Sequence, residues 1–278
     1  MRKTCGNSMF ILESAGLTDI GKKRKGNEDA LFLDDNLRLY LVADGMGGRQ
    51  AGEVASQLVV ETISDYIARV TGGHETDELM DVDPELSKEA NRLLASVSLA
   101  NYGIHQLSRS KEAFRGMGST VSAIYFAGET LIAANVGDSP IFLVHNGNIE
   151  TISMPHTVRA QQAALDPQGT RRIGGEQYDH MLTRAMGIEE TVEADICELQ
   201  CFKGDILVVS SDGLSNKVPP EEILQVVTTE HPQKACKILV DLANERGGPD
   251  NITVIVVKVK GIKPKGRRIA RFFARFFG

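Results

Sequence analysis

The chain reads as an α+β protein of antiparallel sheet and helix layers, and three observations predict it. Seven short apolar or alternating runs, at 29–35, 37–43, 119–127, 130–137, 140–147, 204–211 and 251–259, read as strands. Turn signals such as Asp34-Asp35-Asn36, Ala127-Gly128-Glu129 and Asn146-Gly147-Asn148 leave no room for crossover helices, so neighbouring strands pair antiparallel. Helical periodicity comes in blocks between groups of strands, which is the α+β pattern.

The helices follow in order. Residues 51–70 bring Val54, Leu58, Ile63 and Ile67 near one face, and 85–108 do the same with Leu86, Leu93, Leu94, Val97 and Ile104. A third helix is expected at about 220–230, opened by Pro219-Pro220-Glu221-Glu222, and a fourth over 232–246, stopped by Gly247-Gly248. Residues 71–83 form a polar acidic loop. Residues 154–182 resist regular assignment, with Pro155, Pro167, Gly169, Gly174 and Gly175. A long irregular insert in a compact domain is usually a functional lid or a mobile segment.

The 278 residues suffice for a substantial core, with 42% apolar and 24% charged residues. No apolar stretch approaches the roughly 20 residues of a membrane-spanning helix, and Glu13 interrupts the short MFIL patch near the start. A cytoplasmic location is therefore expected. The cysteines (Cys5, Cys197, Cys201, Cys236) contain no Cys-x-x-Cys pair and read as free thiols. Eight basic residues and no acidic one follow Asp250, so residues 1–250 carry −14 against −6 for the whole chain. Such an acidic body is not a nucleic-acid-binding surface.

Three aspartates stand at the ends of strand-like runs. Asp44 opens Asp44-Gly45-Met46-Gly47-Gly48, Asp212 opens Asp212-Gly213, and Asp250 opens Asp250-Asn251. Carboxylates gathered from distant chain positions repel one another unless a cation neutralises them, and all-oxygen clusters suit Mg²⁺ or Mn²⁺. Arg24, with Asn27-Glu28-Asp29 behind it, offers a fork of donors matched to phosphate beside further carboxylates, although alone it reads equally as a solvated turn.

Together with Gly118-Ser119-Thr120 and Asn135-Val136-Gly137-Asp138-Ser139, these motifs stand in an order that resembles the metal-dependent protein phosphatase (PPM, or protein phosphatase 2C) family in its bacterial single-domain form. The resemblance runs from about residue 16 to 259. It implies a four-layer α/β/β/α sandwich, with two antiparallel sheets flanked by paired helices. It also implies that Asp44 bridges two Mn²⁺ or Mg²⁺ ions, with the Gly45 carbonyl, Asp212 and Asp250 on one. Of the pair Glu28 and Asp29, one (Asp29 is the chosen residue) holds the other ion largely through water, while Asp138 matches a third, weaker site. Arg24 matches the phosphate-gripping arginine. The implied activity is hydrolysis of phosphoserine and phosphothreonine on proteins by a metal-activated water, opposing a serine/threonine kinase. A catalytically weak phosphoprotein-binding module of the same fold, or a phosphatase of small phosphoesters, stays open beside it.

Several positions depart from the family pattern. Met46 stands where many members carry a histidine. Arg49 either adds a second phosphate contact or is a plain exposed arginine. Pro140 replaces a usual arginine and suits a strand start. Pro155-His156-Thr157 opens the unusual flap-like segment, and His156 is either a proton carrier or an exposed loop residue.

Residues 1–15 are expected to be an extension, 16–260 the phosphatase domain, and 261–278 a basic amphipathic tail. In that tail Ile269, Phe272, Phe273, Phe276 and Phe277 face away from Arg268, Arg271 and Arg275. Residues 262–278 then read as a peripheral membrane or partner contact, or as a segment packed on the protein's own acidic body. A monomer is expected.

Overall fold

Each sheet puts alternate residues of the same strand into different cores. The computed structural model describes residues 8–47, 51–73, 82–166 and 181–264. The first sheet runs β1 (Ser8–Asp19), β11 (Ile252–Pro264), β10 (Ile206–Ser210), β7 (Ile141–His145) and β8 (Asn148–Thr151). The second runs β2 (Asp29–Asp34), β3 (Leu39–Met46), β5 (Val121–Ala127), β6 (Thr130–Val136) and β9 (Asp195–Gln200), with short β4 (Gly118–Ser119) on the end of β3. Neighbouring strands pair antiparallel throughout.

Between the sheets, Tyr40, Val42, Ile124 and Phe126 meet Leu207, Val209, Ile255 and Val257. The intervening Leu39, Leu41 and Ala43 turn outward under α1 (Ala51–Thr71) and α2 (Lys88–Ser110), against Val59, Ile63, Leu93 and Val97. On the opposite outer face, Val208, Val254 and Val256 pack under α5 (Pro220–Thr229) and α6 (Pro232–Glu245), against Ile223, Val227, Leu239 and Val240. Strands covered on both faces explain the unbroken apolar runs, because a two-residue side-chain period serves two cores at once. The result is the four-layer α/β/β/α sandwich.

Helix ends follow their chemistry. Ser87 caps α2 by accepting from the Ala90 N–H, so the helix starts at Lys88 rather than at 85. Pro220 and Pro232 occupy first-turn positions, where a missing N–H costs nothing.

Strand β1 corrects the expected N-terminal boundary. It begins at Ser8 and pairs with β11 along its whole length, so residues 8–15 belong to the sheet and not to an extension. Glu13, Ser14 and Gly16 hid it, and as an edge strand with a register shift after Ile11 it has no need of clean alternation. At the other end β11 runs past 260 to Pro264. Strands β8 and β9 also lie at or beside sheet edges and carry too few apolar residues to announce themselves. The stretch 154–182 is not irregular throughout: Thr157 caps a short helix, α3 (Val158–Leu165). Residues 167–180, Arg49 and tail residues 265–278 lie outside the described residues.

One buried asparagine ties the loop between β1 and β2 to the first sheet. Asn251 Nδ2 donates to the carbonyls of Ile20 (2.9 Å) and Gly26 (3.0 Å), and its Oδ1 accepts from the Glu28 N–H at 2.8 Å. Lys22 N–H adds a second clip to the Gly248 carbonyl. Asn251 is 4% exposed, so groups orphaned by its loss would be poorly hydrated. Asn251→Ala is expected to cost about 2–4 kcal/mol, read as a lower urea midpoint with an unchanged slope. A loss within ~0.5 kcal/mol, the range of an ordinary surface change, would show that the loop is held by other contacts.

Candidate active site

Strands β2 and β3 set two carboxylates side by side: Asp29 and Asp44 are directly opposite in the ladder. Asp29 is 8% exposed. Its Oδ2 accepts from Ser211 Oγ at 2.8 Å, while its Oδ1 is buried with no hydrogen-bond partner among the described residues. Ser211 comes from the first sheet, just after β10, and also accepts from the Thr253 N–H on β11. A single hydroxyl therefore links both sheets at the mouth of the sandwich.

The end of β3 is fixed by a set of hydroxyls. Asp44 N–H donates to Thr120 Oγ1 at 3.0 Å, and the Asp44 carbonyl accepts from the Thr120 N–H and from Ser119 Oγ. Thr120 Oγ1 lies 2.9 Å from Ser139 Oγ, and Ser122 Oγ donates to the Ser139 carbonyl. The residue before Ser139 is Asp138, which joins the turn after β6 to this network. A Cβ on Gly45 would collide with the carbonyls of Gly52 and Glu28, so only glycine fits where β3 runs under the start of α1.

Asp212 begins the one-turn helix α4 (Asp212–Ser215), and its Oδ2 accepts from Asn216 Nδ2 at 3.1 Å. The following Gly213 is equally constrained, because a Cβ there would strike the Asn251 carbonyl. Asp250 accepts from the Asn251 N–H on Oδ1 and from Arg24 Nη2 on Oδ2, at 2.8 and 2.7 Å. Arg24 is 47% exposed, which leaves part of its donor fork open to solvent. Each described site residue expected from the sequence thus converges on this end of the sandwich.

Electrostatics bind the group together. Burial, and then the charges of Asp29, Asp212, Asp250 and Asp138, hold the Asp44 carboxyl well above the usual carboxylate range. Asp29 is pushed up to about 6, chiefly by burial, with Ser211 and Thr253 opposing the rise and Asp212 and Asp250 adding to it. Burial also raises Glu28, with Arg24 opposing and then Asp250 and Glu53 adding to the rise. Arg24 is raised against the cost of its own burial by Asp250, with smaller contributions from Asp44 and Glu28. Among the described residues no three of these side chains close into a finished coordination shell, so the centre is a cluster of repelling carboxylates. Its donors are all oxygen, and the orphaned Asp29 Oδ1 is what a hard cation or its water would satisfy.

His156 is not an exposed loop residue. It is 5% exposed; Nδ1 accepts from the Gly137 N–H at 3.1 Å, and Nε2 faces Asp195 Oδ2 at 3.1 Å. Arg184 closes the group through Asp195 at 2.9 Å. The ring pins the base of the flap-like segment to the turn before Asp138. Met46 packs against Gly118 in the β3–β4 pair, and Pro140 stands just ahead of β7. Cys197, Cys201 and Cys236 are free, with burial pushing each thiol up, the latter two to about 12. Ser211, Ser139, Thr120, Asn216 and Asn251 are the residues sequence reasoning left without a role. Ser211, Ser139, Thr120 and Asn251 sit in or beside the aspartate and glycine motifs, whereas Asn216, one helical turn past Asp212, carries no such signal.

A family model described as protein phosphatase 2C matches residues 22–242. The serine/threonine phosphatase stp of Listeria monocytogenes is 32% identical over 254 residues, covering 90% of this chain and 96% of that one. A Streptococcus agalactiae serine/threonine phosphatase structure superposes with a TM-score of 0.77 at 32% identity, over 90% of this chain and all of the other. The catalytic domain of the serine/threonine protein phosphatase PstP, solved with two manganese ions, gives 0.74 at 32% identity, over 90% and 99%. The chain belongs to the protein phosphatase 2C family of metal-dependent serine/threonine phosphatases.

Proposed function

We propose that the carboxylate centre around Asp44 removes phosphate from phosphoserine and phosphothreonine on proteins. Asp44, Asp212, Asp250 and the Gly45 carbonyl, with Asp29 and Asp138 beyond them, are the residues that would hold Mn²⁺ or Mg²⁺. Two ions and a third at Asp138 fit this donor set. The observation that carries the reading is the mutual repulsion of five carboxylates drawn from five chain segments to one strand end. When bound, divalent ions neutralise phosphate oxygens and make a water nucleophilic at neutral pH.

The chain's own residues do the positioning. Arg24, tethered to Asp250 at 2.7 Å, offers its outward donors to the phosphate and holds charge that spreads over the phosphoryl oxygens. Ser119 and Thr120 keep the Asp44 backbone from shifting, and Ser211 orients Asp29. Met46 brings no proton to the leaving oxygen, and His156 is engaged through both ring nitrogens, so the proton comes from water.

We place the enzyme in the cytoplasm as a monomer opposite a serine/threonine kinase, with one phosphatase domain from β1 to β11. Of residues 262–278, the part that follows β11 then serves as a peripheral contact. Among the described residues no helix is long and apolar enough to cross a membrane.

Phosphopeptide hydrolysis is expected to vanish on chelation and return with Mn²⁺. Asp44→Asn and Asp212→Asn should each lower kcat by about 100-fold or more, since metal neutralisation supplies several kcal/mol. Activity that survives chelation, or both substitutions, would sink the reading. Arg24→Ala should raise KM by about tenfold with a smaller loss in kcat, and Arg24→Lys should fall between, because it keeps the charge without the fork. Equal behaviour of the two variants would place the phosphate elsewhere.

Protonation sets the stability of the metal-free protein. A carboxyl raised in the folded state costs nothing below its unfolded pKa and destabilises as pH climbs through the folded value near 6. Metal-free protein should therefore lose on the order of 3 kcal/mol from Asp29 between about pH 4 and 7, and Asp44 adds in the same direction. In thermal scans Asp29→Asn should melt above the metal-free parent at pH 8 and match it at pH 4. A variant that melts lower at pH 8 would contradict the sign.

A further inference from the structure

We infer that a second anion-binding subsite lies beside the active centre, between the end of α2 and residues 186–188, and that it receives a second phosphate on the same substrate chain. The inference rests on the phosphatase reading above. A cavity of about 480 Å³ opens there, walled by His105, Arg109, Lys111, Arg115 and Ile188. Among the described residues on its wall, Glu112 is the sole acidic one. Such a concentration of cations stands out on a body that carries −14 over residues 1–250, which would otherwise repel a phosphorylated peptide.

These cations are poorly used by the fold itself. Arg109 complements the last turn of α2, yet makes no ion pair among the described residues. Among the described residues Arg115 reaches only Glu112, at 3.7 Å, and with both side chains largely exposed that pair contributes little. Lys111 lies 5.5 Å over the Phe114 ring, which props its ammonium at the cavity wall. Helix-dipole neutralisation accounts for one cation in the last turn, not for two more beyond it.

The opposite wall is rigid and tied to the catalytic strand. Gly187 has φ +82, and a Cβ there would collide with Ile104 of α2. His105 Nδ1 lies 3.2 Å from the Gly187 carbonyl. Met186 exchanges both backbone hydrogen bonds with Ser119, and β4 pairs in turn with Gly45 and Met46. Two strand steps of about 4.8 Å, plus side-chain reach, put the cavity roughly 10–15 Å from Asp44. An extended peptide covers about 3.3–3.6 Å per residue, so the second phosphate belongs about three to five residues from the one hydrolysed.

The test uses the full chain with Mn²⁺ and peptides carrying one phosphothreonine, with or without a non-hydrolysable phosphonate three, four or five residues to either side. The readout is the ratio of kcat/KM with and without the second anion, which cancels any loss of folded protein. At the matching spacing the ratio is expected to reach about tenfold, through KM, as for a charge-assisted contact in a half-open site. In Arg109→Ala/Arg115→Ala it should fall to near one. A ratio near one for the parent at every spacing, or a tenfold ratio that persists in the double variant, overturns the subsite while hydrolysis of the single phosphopeptide still upholds the centre. No hydrolysis of any peptide, or of p-nitrophenyl phosphate, overturns the phosphatase reading and the subsite with it.

Discussion

Repulsion among carboxylates at one end of the sandwich is the constraint on which the rest of the structure depends. Asp44 meets Asp29 across the ladder and feels Asp212, Asp250 and Asp138 besides. A folded chain tolerates this only where other interactions over-determine the backbone. The hydroxyl set of Ser119, Thr120 and Ser139 holds β3 to the turn after β6, and Ser211 joins Asp29 to the opposite sheet. Arg24 pairs directly with Asp250 at 2.7 Å, and it sits where it faces solvent.

That arrangement explains why the two sheets must be stacked before the centre exists. Asp29 and Asp44 come from the second sheet, while Asp212 and Asp250 flank β10 and β11 of the first. The apolar layer between the sheets, from Tyr40 and Phe126 to Leu207 and Ile255, thus supplies the energy that forces like charges together. A cation held by these carboxylates would relieve the stress that packing creates, and would thereby link metal binding to the stability of the sandwich.

Much of this was legible in the chain. The doubly buried stretches 39–43 of β3, 206–209 of β10 and 254–257 of β11 are apolar without interruption, and helices α5 and α6 are opened by prolines, so both kinds of element announce themselves. The aspartates were legible because each stands where an apolar run meets a turn. The edge strands β1 and β9 were not, since one ladder and partial exposure impose little on sequence. The burial of His156 was also hidden. Its partners, Gly137 on one side and Asp195 and Arg184 on the other, lie 19 to 39 positions away and carry no spacing signal.

Buried polar residues around the centre divide by what they hold. Asn251, Ser211 and Thr120 spend their hydrogen bonds on backbone groups and carboxylates of other segments, which sets where charge is placed rather than what reacts. His156 does the same at the turn before Asp138, coupling that carboxylate to the base of the flap-like segment through Thr183, whose N–H donates to the His156 carbonyl. Residues 181–186 continue into the β4 pairing and then into the wall of the basic cavity. One short stretch therefore joins His156 on one side to the wall of the cationic cavity on the other. That stretch supplies none of the carboxylates, so its side chains can change without altering the charged centre.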